Sequence, residues 1–295
     1  MVSEQFMYTQ TSPEVRLQLP DVTLCCVDTR APAQAIYALH RSIEHVDFGD
    51  VLLLGLDSFA THPSLSDARI RLTPIKALTS IDDYSRFMLH ELHQHIRTSH
   101  VLVIQWDGFI ACHERWQDDF LRHDYIGAPW YHGGHPGLVG NGGFSLRSQR
   151  LLQATRDLAS PDGEPEDMTI CVHRRGELEQ RHGIRIAPLA LAQAFACEYG
   201  PYQEGFGFHG MHNFAHVMTS QELRDWLDQA PNAILQGQHA RKLVKSLIAT
   251  GRRADAMHLI GLRRRLLGAT RDHYVLSMRA MASALRRSAS PQSTP

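Results

Sequence analysis

The chain has 295 residues, 43% of them hydrophobic and 21% charged, with a formal net charge of −1. That length holds one large domain, or a domain of about 200 residues with a smaller appendage, and so even a charge balance gives no global attraction for nucleic acid. The five cysteines, Cys25, Cys26, Cys112, Cys171 and Cys197, form no C-x-x-C pair and are odd in number, which suits reduced thiols better than a disulfide framework. No charged-then-apolar leader opens the chain, and no apolar stretch approaches the roughly 18 to 20 residues a spanning helix needs. The expectation is a soluble cytoplasmic protein.

Residues 1–20 are polar and punctuated by proline, an N-terminal arm. Val22 to Val27 (VTLCCV) is a buried strand, followed by the polar DTRAP and a helix in which Ile36, Leu39, Ile43 and Val46 recur at helical spacing. Val51 to Gly55 (VLLLG) is a second strand, and Ser80 caps a helix running to Ile96 that leads into the apolar run Val101 to Trp106. Strand and helix alternating in this way predict an α/β fold with a mostly parallel sheet flanked by helices. From Asp107 to about Gly143 periodicity is lost among WDG, GAPW, HGGHPG and NGG, and so long an irregular stretch within a domain is usually functional. Helices are expected at 148–158 and 166–180 with a short strand at 184–188; then comes the aromatic and Gly-rich FACEYGPYQEGFGFHGMHNF. Beyond about residue 218 four helical patterns rich in Arg and Lys form a helical extension to 288, ahead of a disordered-looking tail, 289–295. The main domain is thus placed at 21–217.

Two segments mark an expected ligand position from strand ends alone. Asp28, Thr29 and Arg30 follow the first strand, and Asp107 closes VLVIQW; an open α/β sheet places ligands at such carboxyl ends. The bland account of Asp107 is a turn formed by its Asp-Gly step. HELHQH (90–95) is not H-E-x-x-H, because position 94 is Gln. The sequence contains neither a G-x-x-x-x-G-K-[ST] phosphate loop nor a Gly-x-Ser-x-Gly elbow.

QWDGF (105–109), DYIGAPW (124–130), VGNGGFSLRS (139–148), PED (165–167) and FGFHG (206–210), in that order, resemble the motifs of a domain-of-unknown-function family described as glycosyltransferase-like, and more widely the GT-A nucleotide-sugar transferases. The resemblance spans about residues 21–215 and implies a GT-A-like (Rossmann-like) fold that moves a sugar from a nucleotide-sugar donor to a glycan, lipid-linked or protein hydroxyl, by inversion. Such an enzyme holds a diphosphate leaving group, usually with Mn²⁺ or Mg²⁺. The resemblance makes Asp107 and His209 the metal contacts, with Gln105-Trp106-Asp107 in the place of D-x-D, only the last acid being kept. It makes Asp167, or its neighbour Glu166, the base for the acceptor hydroxyl; the bland account of both acids is complementation of a helix dipole. Asp28, Thr29, Arg30, Tyr84, Arg86, Gln105, Trp106 and Asp107 are then expected on the donor side. Trp130, Tyr131, Asn141, Gly142 and Gly143 are expected against the acceptor, where backbone amides and an aromatic face suit a sugar. Two rivals stand beside the transferase: a carbohydrate- or nucleotide-sugar-binding protein without catalysis, favoured by Gln105, and a nucleotidyltransferase, disfavoured by the missing glycine-rich loop in CVDTRAPAQ. The basic C-terminal helices suit an ordinary helical cap, a protein partner or a peripheral membrane contact.

Overall fold

The computed structural model describes residues 16–131, 137–158 and 163–288. Most of the expected N-terminal arm, the greater part of HGGHPG and the tail at 289–295 lie outside them. The central sheet contains β1 (Leu17–Val27), β2 (Val46–Gly55), β3 (Arg71–Pro74), β4 (His100–Ile104), β5 (Tyr125–Gly127) and β6 (Phe144–Ser148), in the order β3-β2-β1-β4-β6-β5. The first four in that order are parallel, and β6 is antiparallel to both β4 and β5. The α/β class with a mostly parallel, helix-flanked sheet is therefore the one expected, while β5 and β6 fall in or beside the stretch read as irregular. Their signal is weak because β5 is three residues long and β6, FSLRS, puts polar residues into a fully buried strand.

Buried apolar strands need cover on both faces. Leu24, Cys26, Leu53, Leu102 and Ile104 face the core that includes helix α1 (Pro32–Ser42). Their alternates Cys25, Leu52, Leu54, Val101 and Val103 face Phe87 and Met88 of α2 (Ile81–His90) and Leu152 of α3 (Gln149–Thr155). Period-two alternation between two apolar faces is why these strands read as unbroken hydrophobic runs. A capping box at Ser80 and Asp83 starts α2.

The helix expected at 166–180 is broken. Here α4 (Glu166–Met168) passes into a π-helical turn at Thr169–His173 before α5 (Arg175–His182) resumes and ends at left-handed Gly183. The β-branched Thr169, Ile170 and Val172 crowd a regular α-helix there. After α6 (Leu189–Phe195), the short parallel strands β7 (Ala196–Cys197) and β8 (Gly207–Phe208) form a second, two-stranded sheet. The C-terminal helices are α7 (Phe214–Val217), α8 (Ser220–Gln229), α9 (Asn232–Gln236), α10 (Gln238–Ala249), α11 (Arg253–Leu267) and α12 (Arg271–Ser288). Leu243, Val244 and Leu247 of α10 are fully buried in the same apolar core as the sheet.

Candidate functional site

Strand order reverses direction between β1 and β4, the switch point at which an open α/β sheet leaves a crevice. Residues 28–30 leave β1 at that edge and residues 105–107 leave β4. Because β6 is antiparallel, the Asn141-Gly142-Gly143 turn enters it at the same edge, where the Gln105 N–H donates to the Gly143 carbonyl at 2.9 Å. The pairing of β7 with β8 does the same for two more side chains. Parallel register places Cys197 opposite Phe208, so Glu198 and His209 emerge side by side.

These segments surround a cleft of about 670 Å³. Of the residues expected from sequence, Asp28, Thr29, Arg30, Tyr84, Gln105, Trp106, Trp130, Asn141, Gly142, Gly143, Glu166, Asp167 and His209 line it. Three of the expected residues do not line the cleft. Asp107 does not reach the cleft wall: it is 1% exposed and lies behind His209, because the turn closed by the Gly108 N–H to the Gln105 carbonyl rolls the chain over after Gln105. Arg86 points away to solvent near Asp83, and exposed Tyr131 sits off the cleft, its hydroxyl accepting from Gln193 Nε2 at 3.0 Å.

Asp107 holds His209. Its Oδ1 is 3.2 Å from His209 Nε2, and Oδ2 accepts the Met211 N–H at 3.2 Å. The other ring nitrogen, Nδ1, is 3.3 Å from Glu198 Oε1, and Asn141 Nδ2 donates to the same carboxylate. Asn141 takes the left-handed conformation, φ 62°, which brings its Oδ1 to the Phe144 N–H. Burial opposes charge on His209, but the two flanking carboxylates win and raise its pKa well above the usual histidine range. Burial would likewise raise Asp107, and the charge and hydrogen bond of His209 hold it low.

Asp107, His209 and Glu198 thus contact one another directly, and among the described residues no group of three or more His, Cys, Asp or Glu side chains is placed to hold a metal ion. Gly143 lets the arrangement close, since a Cβ there would stand 2.3 Å from His209 Nε2.

Asp167 and Glu166 separate sharply. The Glu166 carboxylate is buried and accepts from Arg147 Nη2 at 2.8 Å, with Arg147 itself fully buried on β6. Asp167 is half-buried at the cleft wall, where its Oδ2 accepts the Gly142 N–H at 2.9 Å. Burial and the nearby Glu166 charge raise its pKa to about 6, against the pull of the Gly142 hydrogen bond. Asp28 has a structural task besides lining the cleft: its Oδ1 accepts the N–H groups of Arg30 and Ala31 at 2.6 and 2.7 Å and closes the turn into α1.

The sequence reading missed Glu198, Tyr199 and His239 in the cleft. Glu198 and Tyr199 lie in an aromatic, Gly-rich segment already marked as unusual. His239 carried no signal: it belongs to α10, yet its ring meets Trp106 edge-on at 5.6 Å, and its Nδ1 is 3.7 Å from Asp107 Oδ2.

Fold and cleft define an α/β protein with a carboxylate-bearing pocket at its topological switch point. Residues 67–209 match the model of a family described as "Protein of unknown function (DUF5672)". Comparison with curated proteins returns no match. Among solved structures, the chain is similar to S. aureus TarS 1–349, with 11% identity and a TM-score of 0.40 over 92% of this chain and 93% of that one. The same protein in complex with UDP-GlcNAc gives 11% identity and a TM-score of 0.38 over 91% and 92%. The apo form of the glycosyltransferase GlyE from Streptococcus pneumoniae TIGR4 gives 13% identity and a TM-score of 0.38 over 72% of this chain and 52% of that one, so about half of GlyE is spanned. Overlaps of this extent transfer no residue role or substrate.

Proposed function

We propose that this protein is a glycosyltransferase that moves a sugar from a nucleotide-sugar donor to a hydroxyl acceptor with inversion. The observation that carries the proposal is a partly exposed carboxylate, Asp167, tuned close to neutrality, in one cleft with the strand-end segments where a nucleotide belongs. Asp167 takes the acceptor proton while the acceptor oxygen attacks the anomeric carbon. The bond from that carbon to the diphosphate oxygen breaks, and its electron pair leaves with the diphosphate. Arg30 borders the cleft as positive charge for the leaving group. Trp106 and Trp130 supply apolar walls on which a sugar or base can lie. Metal assistance is a separate proposal, because Asp107 and His209 would have to part before either could meet Mn²⁺ or Mg²⁺.

One observation favours a non-catalytic nucleotide-sugar binder instead: the side chain presented at the tip of β4 is the neutral Gln105, with Asp107 turned behind it. The deciding experiment incubates the protein with a panel of nucleotide sugars and mixed hydroxyl acceptors, and follows both binding and nucleoside diphosphate release. Binding with release that Asp167→Asn abolishes supports the enzyme. Binding without release from any donor supports the binder.

A further inference from the structure

The last two helices pair both of their acids and leave most of their arginines exposed. Residues 253–283 contain only two carboxylates. Asp255 is buried and bonded to Arg252 and Ser220, and Asp272 pairs with Arg241 and Arg263. By contrast Arg253, Arg264, Arg265, Arg271 and Arg279 are exposed, and among the described residues none of them has a carboxylate partner. The surface of α11 and α12 is therefore net positive, its one partly exposed acid, Asp272, being paired with Arg241 and Arg263.

Apolar side chains lie within this surface. Tyr274, Met278 and Met281 are 57%, 59% and 48% exposed, and their spacing of four and three residues sets them on one face of α12, while Leu276 and Ala280 are buried on the other. Met257 and Leu267 of α11 are exposed as well. Large unbranched side chains and a tyrosine, flanked by arginines that have no carboxylate partner, are the composition of a helix that lies in a membrane interface. Among the described residues no helix is long and apolar enough to cross a bilayer, so the contact would be with the surface.

We propose that the outward face of α11 and α12 docks on an anionic lipid bilayer, the methionines and Tyr274 entering the headgroup region and the arginines meeting lipid phosphates. Charge decides for lipid over a protein partner: the unpaired charges of this face are all positive and offer no alternating pattern for a protein to read, whereas they match a uniformly anionic surface.

The test is sedimentation of the full chain with vesicles of phosphatidylcholine alone and of phosphatidylcholine containing phosphatidylglycerol, at low and high salt. Binding is expected to the anionic vesicles only, weakening as salt rises. At about fivefold per arginine, the triple variant R264A/R265A/R271A lowers partitioning on the order of a hundredfold. Met278→Ser with Met281→Ser also weakens it, and both variants keep the parent melting temperature. Binding to neither vesicle, equal binding to both, or partitioning unchanged in the variants would overturn the proposal. So would a concentration-dependent dimer that the methionine variant dissociates, since the face would then belong to a second copy.

Discussion

Asp167 titrates near neutrality because it is partly withdrawn from water beside a second carboxylate, and both activity and stability inherit that. As a base it must be ionised, so transfer should fall as pH drops through about 6. Stability runs the other way. The folded state binds this proton more tightly than the unfolded chain, so Asp167 lowers stability as pH rises from the ordinary carboxylate range through about 6. Asp167→Asn is expected to lower kcat roughly a hundred- to ten-thousandfold, to leave nucleotide-sugar affinity nearly unchanged, and to melt no lower than the parent protein above neutral pH. A large loss of stability in Asp167→Asn at pH 8 would contradict this account. Glu166 behaves differently from a helix-start acid worth about 0.5 kcal/mol. Removing its charge leaves Arg147 buried and unpaired, so Glu166→Gln should cost about 3 kcal/mol or more, read by denaturant unfolding. PED announces two acids but not which one finds an arginine, because Arg147 arrives from a strand nineteen residues earlier.

At the scale of elements, NGG shows how a turn becomes part of a site. The antiparallel entry into β6 seats Gly143 against the His209 ring, so Gly143→Ala should displace His209 and destabilise by about 1–3 kcal/mol. Nucleotide binding should weaken with it, as isothermal calorimetry would show. The helical extension was legible as helices from its period. Its engagement was not. Helix α10 buries Ala240, Leu243, Val244 and Leu247 and presents His239 to the cleft, Trp226 of α8 stacks on Trp106 at 5.8 Å, and Arg252 donates to the carbonyls of Phe214, Ala215 and Met218. At about 1.5–3 kcal/mol for each large apolar side chain exposed, a chain ending at residue 217 should fail to fold to a nucleotide-binding state. A soluble, cooperatively melting truncation with parent affinity would show the helices to be dispensable.

Across the whole molecule, a ligand that binds only the folded state raises its stability by about 2.7 kcal/mol at a hundredfold excess over Kd. The donor should therefore raise the melting temperature by a few degrees in thermal-shift screens of nucleotide sugars. If His209 stays between Asp107 and Glu198, calorimetry with chelator and with Mn²⁺ should give the same nucleotide affinity. A marked gain with Mn²⁺ would mean that the ion displaces the Asp107 contact. The sequence by itself determined the class of fold, because apolar runs buried on both faces and amphipathic helices are local patterns, and its strand ends marked Asp28, Thr29 and Arg30 for the cleft, the other lining residues expected from sequence being those the family resemblance implied. Only the tertiary structure decided that Asp107 stands behind His209, that Glu166 is bound to Arg147 while Asp167 faces the cleft, and that Glu198 and His239 complete the wall. Each of these depends on partners nineteen to well over a hundred residues away, brought together by antiparallel β6, the β7–β8 pair and α10, and no local periodicity encodes which distant side chain a carboxylate will meet.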